Sequence, residues 1–139
     1  MEHDKEVLLL REDRETEKRV LLCVHASLDK KARDLIVIDV SEVSSFTDRF
    51  VICSGTSNRH VQAIAQSIQE NMKKNGLLPL GIEGESLGTW ILLDYDDVVV
   101  HVFYEPIREF YALERLWPDA PRAAIDEDGK EMTPQDLRT

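Results

Sequence analysis

The stretch from Trp90 to Tyr104 constrains the fold more than any other part of the chain. It reads Trp-Ile-Leu-Leu-Asp-Tyr, then Asp96-Asp97, then Val-Val-Val-His-Val-Phe-Tyr. Two β-branched and aromatic runs around a two-residue polar break predict a tight antiparallel hairpin. Aspartate tolerates the positive φ that such a turn demands. With Asp96 and Asp97 at the turn, Tyr95 lies opposite Val98, Leu93 opposite Val100 and Ile91 opposite Val102. Side chains alternate along a strand, so these six share one apolar face. The other face pairs Asp94 with Val99, Leu92 with His101 and Trp90 with Phe103. It is an aromatic and aliphatic strip with one histidine and one carboxylate, unlike an ordinary solvated face.

Two readings of that strip compete. In one, helices cover both faces of the sheet and the strip is core. In the other it is an exposed binding strip, because Trp and Tyr desolvate much area at little rotamer cost and recur as interface anchors. Glu83, Glu85, Asp96 and Asp97 would then rim it, and the partner would be basic with an apolar centre.

The rest of the chain supplies helices and further strands. Arg19 to Ala32 has helical spacing, with Leu21, Val24, Leu28 and Ala32 on one face. Asp34 to Val40 reads as a central strand, Ser41 to Asp48 as a loop, and Arg49 to Cys53 as a second strand. Thr56 or Ser57 can cap a helix running to about Asn75, with Val61, Ile64, Ala65, Ile68 and Met72 as its buried stripe and Gly76 as its stop. Leu80 to Glu83 is a strand, followed by a turn with Gly84 and Gly88. Pro106 can start a last helix, Ile107 to Trp117, with Ile107, Phe110, Leu113 and Trp117 inward, and Pro118 ends it. The fold class expected is α/β: a mixed five-stranded sheet with flanking helices. Residues 1–17 read as a charged, loosely attached helical N-terminal extension, 18–117 as the folded domain, and 118–139 as a flexible acidic tail.

Charge narrows the partners. The 139 residues hold 27 acidic and 17 basic side chains, a formal charge of −10. Phosphate binding needs a basic footprint, so the charge argues against a domain that clamps nucleic acid directly and no such binding is expected, whereas a basic protein partner is permitted. Cys23 and Cys53 fit no metal spacing and read as small buried hydrophobes in a reducing compartment. No apolar run reaches membrane-spanning length, and the start, Met-Glu-His-Asp-Lys-Glu, is too acidic for a signal peptide. A cytoplasmic location without membrane contact is expected.

Catalytic constellations are thin. Asp94 and Asp96, together with the Gly55-Thr56-Ser57 loop, hint at nucleotidyl transfer, where a loop cradles phosphate and a carboxylate pair holds a divalent cation. A whole helix and another strand intervene, however, where such a pair normally follows the loop by about a dozen residues. His3, His25, His60 and His101 show no zinc-site spacing, and no Ser or Cys sits in a nucleophile frame. No catalytic residue, metal or cofactor is expected.

Six runs carry a resemblance. They are Asp34-Leu-Ile-Val-Ile-Asp-Val40, Thr47-Asp-Arg-Phe-Val-Ile-Cys-Ser-Gly-Thr-Ser-Asn-Arg-His-Val61, Gly81-Ile-Glu-Gly-Glu85, Trp90-Ile-Leu-Leu-Asp-Tyr95, Asp97-Val-Val-Val-His-Val-Phe103 and Arg108-Glu-Phe-Tyr-Ala-Leu-Glu-Arg-Leu-Trp117. In this order they resemble the Iojap family of bacterial ribosomal silencing factors, RsfS. The resemblance implies a nucleotidyltransferase-like fold lacking the catalytic acids. It also implies binding to the large ribosomal subunit through its fourteenth protein, at the face that meets the small subunit. Such binding blocks subunit joining and represses translation when nutrients are short. Trp90, Asp94 and His101 match family positions associated with that contact, and Tyr95 occupies the adjoining hydrophobic position. Together with the strip and its rim, the expected partner-binding set is Glu83, Trp90, Leu92, Asp94, Tyr95, Asp97, His101 and Phe103. Competing readings are a nucleotide-binding or nucleotidyl-transferring enzyme, and an acidic adaptor that forms a homodimer through the hairpin face.

Overall fold

The computed structural model describes the backbone of residues 2–132 and the side chains of residues 14–132. Helix α1 spans Glu2–Asp29 and leads into strand β1, Arg33–Asp39. Strand β2, Arg49–Gly55, precedes helix α2, Asn58–Lys74. Strands β3 (Gly81–Glu83), β4 (Trp90–Asp94) and β5 (Val98–Tyr104) come next. Helix α3 (Glu105–Tyr111), a 3₁₀ turn (Leu113–Leu116) and strand β6 (Arg122–Ala124) complete the order.

The sheet runs β3-β4-β5-β2-β1-β6. Only β2 and β5 are parallel; the other neighbours are antiparallel. The β4–β5 hairpin has the expected register, Trp90 opposite Phe103 and Asp94 opposite Val99. Its turn is closed by the Tyr95 amide donating to the Val98 carbonyl at 2.9 Å. Of the two turn residues only Asp96 has a positive φ, 75°, the pattern of a type II′ turn.

Helices α1 and α2 pack on one face of the sheet. The stripe of α2 is the expected one: Val61, Ile64, Ala65, Ile68 and Met72. Its N-cap is Ser57, whose side chain accepts from the His60 amide. These residues meet Val51, Cys53, Ile91, Leu93, Val100 and Val102 in the main core. A smaller cluster of Ile38, Val40, Ile52 and Phe103 lies on the opposite face, against Ile107, Leu113 and Trp117.

Four expectations need correction. The sheet has six strands, not five. The sixth comes from the segment expected to be a flexible tail: Arg122–Ala124 pairs with Ile36–Ile38 of β1, because β1 would otherwise present an unpaired edge. The remainder of that expected tail from residue 133 lies outside the described residues. Backbone helix runs unbroken through residue 17. Thr16, expected on a loose extension, is buried, and its hydroxyl donates to Asp97 at 2.7 Å. Finally, the last helix stops at Tyr111. Ala112 takes a left-handed conformation, φ 46°, which breaks the helical phase between Tyr111 and Leu113. Phe110, expected inward, is 79% exposed.

Candidate partner-binding face

Strand alternation and register decide which side chains share the second face of the sheet. From β3 to β2 these are Glu83, then Trp90, Leu92 and Asp94, then Phe103, His101 and Val99, then Ile52 and Phe50. Gly84, just before the loop that leads into β4, has φ +84°, and a Cβ there would lie 2.0 Å from the Trp90 carbonyl oxygen. Only glycine permits this approach, so the loop seats the start of β4 directly.

The aromatic side chains of this face form one connected layer. Trp90 stacks on Phe103 with ring centroids 4.8 Å apart and meets Tyr111 at 5.1 Å. Phe50 meets the His101 ring edge-on at 5.0 Å and Trp117 at 4.9 Å. Separations of this size suit offset and edge-to-face contacts. The Trp90 indole N–H donates to His101 Nδ1 at 3.1 Å, so Nδ1 is the acceptor and the ring proton sits on Nε2. Nε2 is buried and has no hydrogen-bond partner among the described residues. Burial pushes the imidazole pKa from 6.5 down to about 4, because a charged ring would lose its hydration.

The two readings of the strip therefore divide it. Phe103 and His101 form a floor, with relative exposures of 0% and 5%. α3 and Trp117 roof that floor on one side. Trp90, Leu92, Asp94 and Val99 are half-buried and Glu83 is exposed, so this side of the strip is open. Tyr111, 54% exposed, and Phe110 extend the open apolar surface beyond Trp90.

Two expected site residues are not brought to this face. Tyr95 points into the main core and is 4% exposed. Its hydroxyl is buried without a partner among the described residues, and burial raises its pKa. Asp97 is bound instead to α1: it accepts from Thr16 Oγ1 and from Arg19 Nη1, each at 2.7 Å. Asp94 remains on the face, and its Oδ1 accepts the Asp96 amide at 2.8 Å. Phe50, Tyr111 and Trp117 were missed. The alternation Arg49-Phe50-Val51-Ile52 carried a signal for Phe50, but using it required knowing that β2 lies beside β5.

In the loop between β2 and α2, the Thr56 amide is engaged by the first turn of α2. The Thr56 amide donates to His60 Nδ1 at 2.9 Å, and His60 Nε2 lies 2.6 Å from the Lys30 carbonyl oxygen. Among the described residues, no group of three or more His, Cys, Asp or Glu is arranged to hold a metal ion, and no helix is long and apolar enough to cross a membrane.

Comparison with known proteins places this geometry in context. The family described as "Ribosomal silencing factor during starvation" matches residues 13–139. Ribosomal silencing factor RsfS of Bacillus subtilis (strain 168) is 44% identical over 98 residues, covering 70% of this chain and 83% of the relative. A mouse protein named "Mitochondrial assembly of ribosomal large subunit protein 1" is 36% identical over 91 residues, 63% of this chain and 40% of its own length. Among solved structures, a Chromobacterium violaceum protein superposes with a TM-score of 0.72 at 38% identity, covering 73% of this chain and 85% of that one. A Bacillus halodurans protein gives 0.70 at 36% identity, with coverages of 78% and 99%.

Proposed function

Because this chain belongs to the ribosomal silencing factor (RsfS) family, we propose that it binds the large ribosomal subunit through its fourteenth protein and thereby blocks joining of the small subunit. Translation is repressed as a consequence when nutrients are limiting, and the work takes place in the cytoplasm. The observation that carries this reading is the open half of the strip: Trp90, Leu92 and Val99 only half-buried, with Tyr111 and Phe110 exposed beside them. A half-buried tryptophan among apolar neighbours is the kind of anchor that dominates protein interfaces. Glu83 and Asp94 make its rim acidic, which suits a basic ribosomal protein and repels RNA phosphate. The name of the mouse relative points toward the same subunit.

The role is non-enzymatic. In the competing reading the Gly55-Thr56-Ser57 loop would cradle phosphate, yet the Thr56 amide is already donated to His60. Asp94 is likewise engaged in the hairpin turn. Sedimentation of the protein with purified large subunits tests the proposal. Co-sedimentation, and fewer joined particles when small subunits are added, is expected. Undiminished joining at saturating protein refutes it.

A further inference from the structure

A second concave surface lies on the other side of α3. That helix turns Ile107 and Tyr111 toward the strip and Glu105, Arg108 and Glu109 toward an open groove of about 1580 Å³, which Ala112, just past its end, also lines. The far wall is the turn after β6, Ile125 to Asp128, and the end of α1 closes one side. Ile36, Ala112, Ala124 and Ile125 give the floor apolar patches. Seven carboxylates and four basic groups line the groove.

Two of the four basic groups, Arg108 and Arg33, are committed, while Lys31 and Arg115 are exposed without an ion pair among the described residues, so the lining keeps an excess of carboxylates. Arg108 is buried and donates to the Asp34 carbonyl and to Ser54 Oγ, and it pairs with Glu114. Arg33 pairs with Glu105. Glu109, Glu127 and Asp128 are exposed and have no ion pair among the described residues. Glu114 Oε2 is buried at the groove wall with no hydrogen-bond partner among them. A concave surface with an apolar floor and an acidic rim selects a cationic, partly apolar occupant, and it repels nucleic acid.

We infer that this groove is a docking surface for an extended, basic segment of a protein partner, with Lys or Arg side chains on the carboxylate rim and short apolar side chains on the floor. Because α3 separates the groove from the strip, both surfaces can be occupied at once.

The probe is a short fluorescein-labelled peptide alternating Arg with Leu and Ala, read by anisotropy at low salt. A Glu-for-Arg version and a poly-uridine oligonucleotide serve as comparators. Micromolar binding of the basic peptide alone is expected, weakened about tenfold in Glu109→Lys/Glu127→Lys. The control, Glu42→Lys/Glu70→Lys, changes net charge equally at exposed positions away from both the groove and the strip, and should weaken binding less than about twofold by general field effects alone. In ¹H–¹⁵N spectra the peptide should shift Ala112, Ala124 and Ile125, and leave Leu92 and Asp94 unmoved. The inference is overturned if no peptide binds, if the acidic peptide or the oligonucleotide binds as well, if the control loses as much as the groove variant, or if the shifts fall on the strip. None of these outcomes depends on whether the strip binds the ribosome, which the sedimentation assay reads separately.

Discussion

Replacing Trp90 with alanine should damage two measurements at once, by amounts the structure sets separately. The indole stacks on Phe103 and Tyr111 at 4.8 and 5.1 Å and donates its N–H to His101 Nδ1 at 3.1 Å. Each aromatic contact contributes about 0.5–1.5 kcal/mol beyond area burial, and stranding a buried acceptor costs about 1–3 kcal/mol. Because Trp90 is only half-buried, the folding loss for Trp90→Ala should be roughly 2–4 kcal/mol, below that of a fully buried tryptophan. Loss of a central interface anchor costs about 2 kcal/mol or more, some thirtyfold in affinity for large subunits. Trp90→Phe separates the two effects. It keeps the stack and removes the N–H donor, so it should destabilise by about 1–2 kcal/mol and remain folded at assay temperature. Binding to large subunits should still fall severalfold, since Phe presents less area and no polar edge. Urea denaturation gives the first quantity and quantitative sedimentation of the folded variant gives the second. If Trp90→Phe and the folded fraction of Trp90→Ala bind within twofold of wild type, Trp90 serves only the small cluster around Phe103, and the strip is not the docking face.

Three other outcomes rest on the same structure. His101 titrates near 6.5 when unfolded and near 4 when folded, so the unfolded chain binds the proton first. The contribution of the neutral ring is fully present above pH 6.5 and is lost as pH falls toward 4, about 3 kcal/mol in all; urea melts across pH 4–7.5 should therefore show a smaller pH slope in His101→Gln, and an unchanged slope refutes the buried neutral imidazole. Asp97→Ala removes the acceptor shared by Thr16 and Arg19, and at this partial exposure it should cost about 1–2 kcal/mol in a thermal melt while large-subunit affinity stays within twofold. Truncation after Pro118 deletes β6 and with it the bonds from the Asp39 amide to Pro121 and from the Ile125 amide to Leu35; it should lower stability by about 2–3 kcal/mol, and an unchanged melting temperature would show that β6 adds nothing to the sheet.

Local rules explain what was legible. The hairpin register comes from a two-residue turn and strict alternation, both encoded within fifteen consecutive residues, Trp90 to Tyr104. The α2 stripe comes from helical spacing alone. β6 was not legible, because Arg-Ala-Ala has neither alternation nor β-branched residues. Its strand geometry comes from β1, whose edge it covers. Arg122 then donates to the carbonyls of Glu114 and Trp117, helping hold Trp117 near the aromatic layer.

By itself, then, the sequence determined the two faces of the hairpin and placed Trp90, Leu92, Asp94, His101 and Phe103 together on one of them. It did so because side-chain direction in a strand has a period of two. Tertiary structure alone decided how far each of those residues is open to a partner. Phe103 and His101 are sealed because α3, redirected at Ala112, and Trp117 fold back over them, and Asp97 is withdrawn because α1 brings Thr16 and Arg19 to it across 81 and 78 residues of chain. Contacts of that separation depend on how whole elements pack, and no local pattern of apolar and polar residues encodes them.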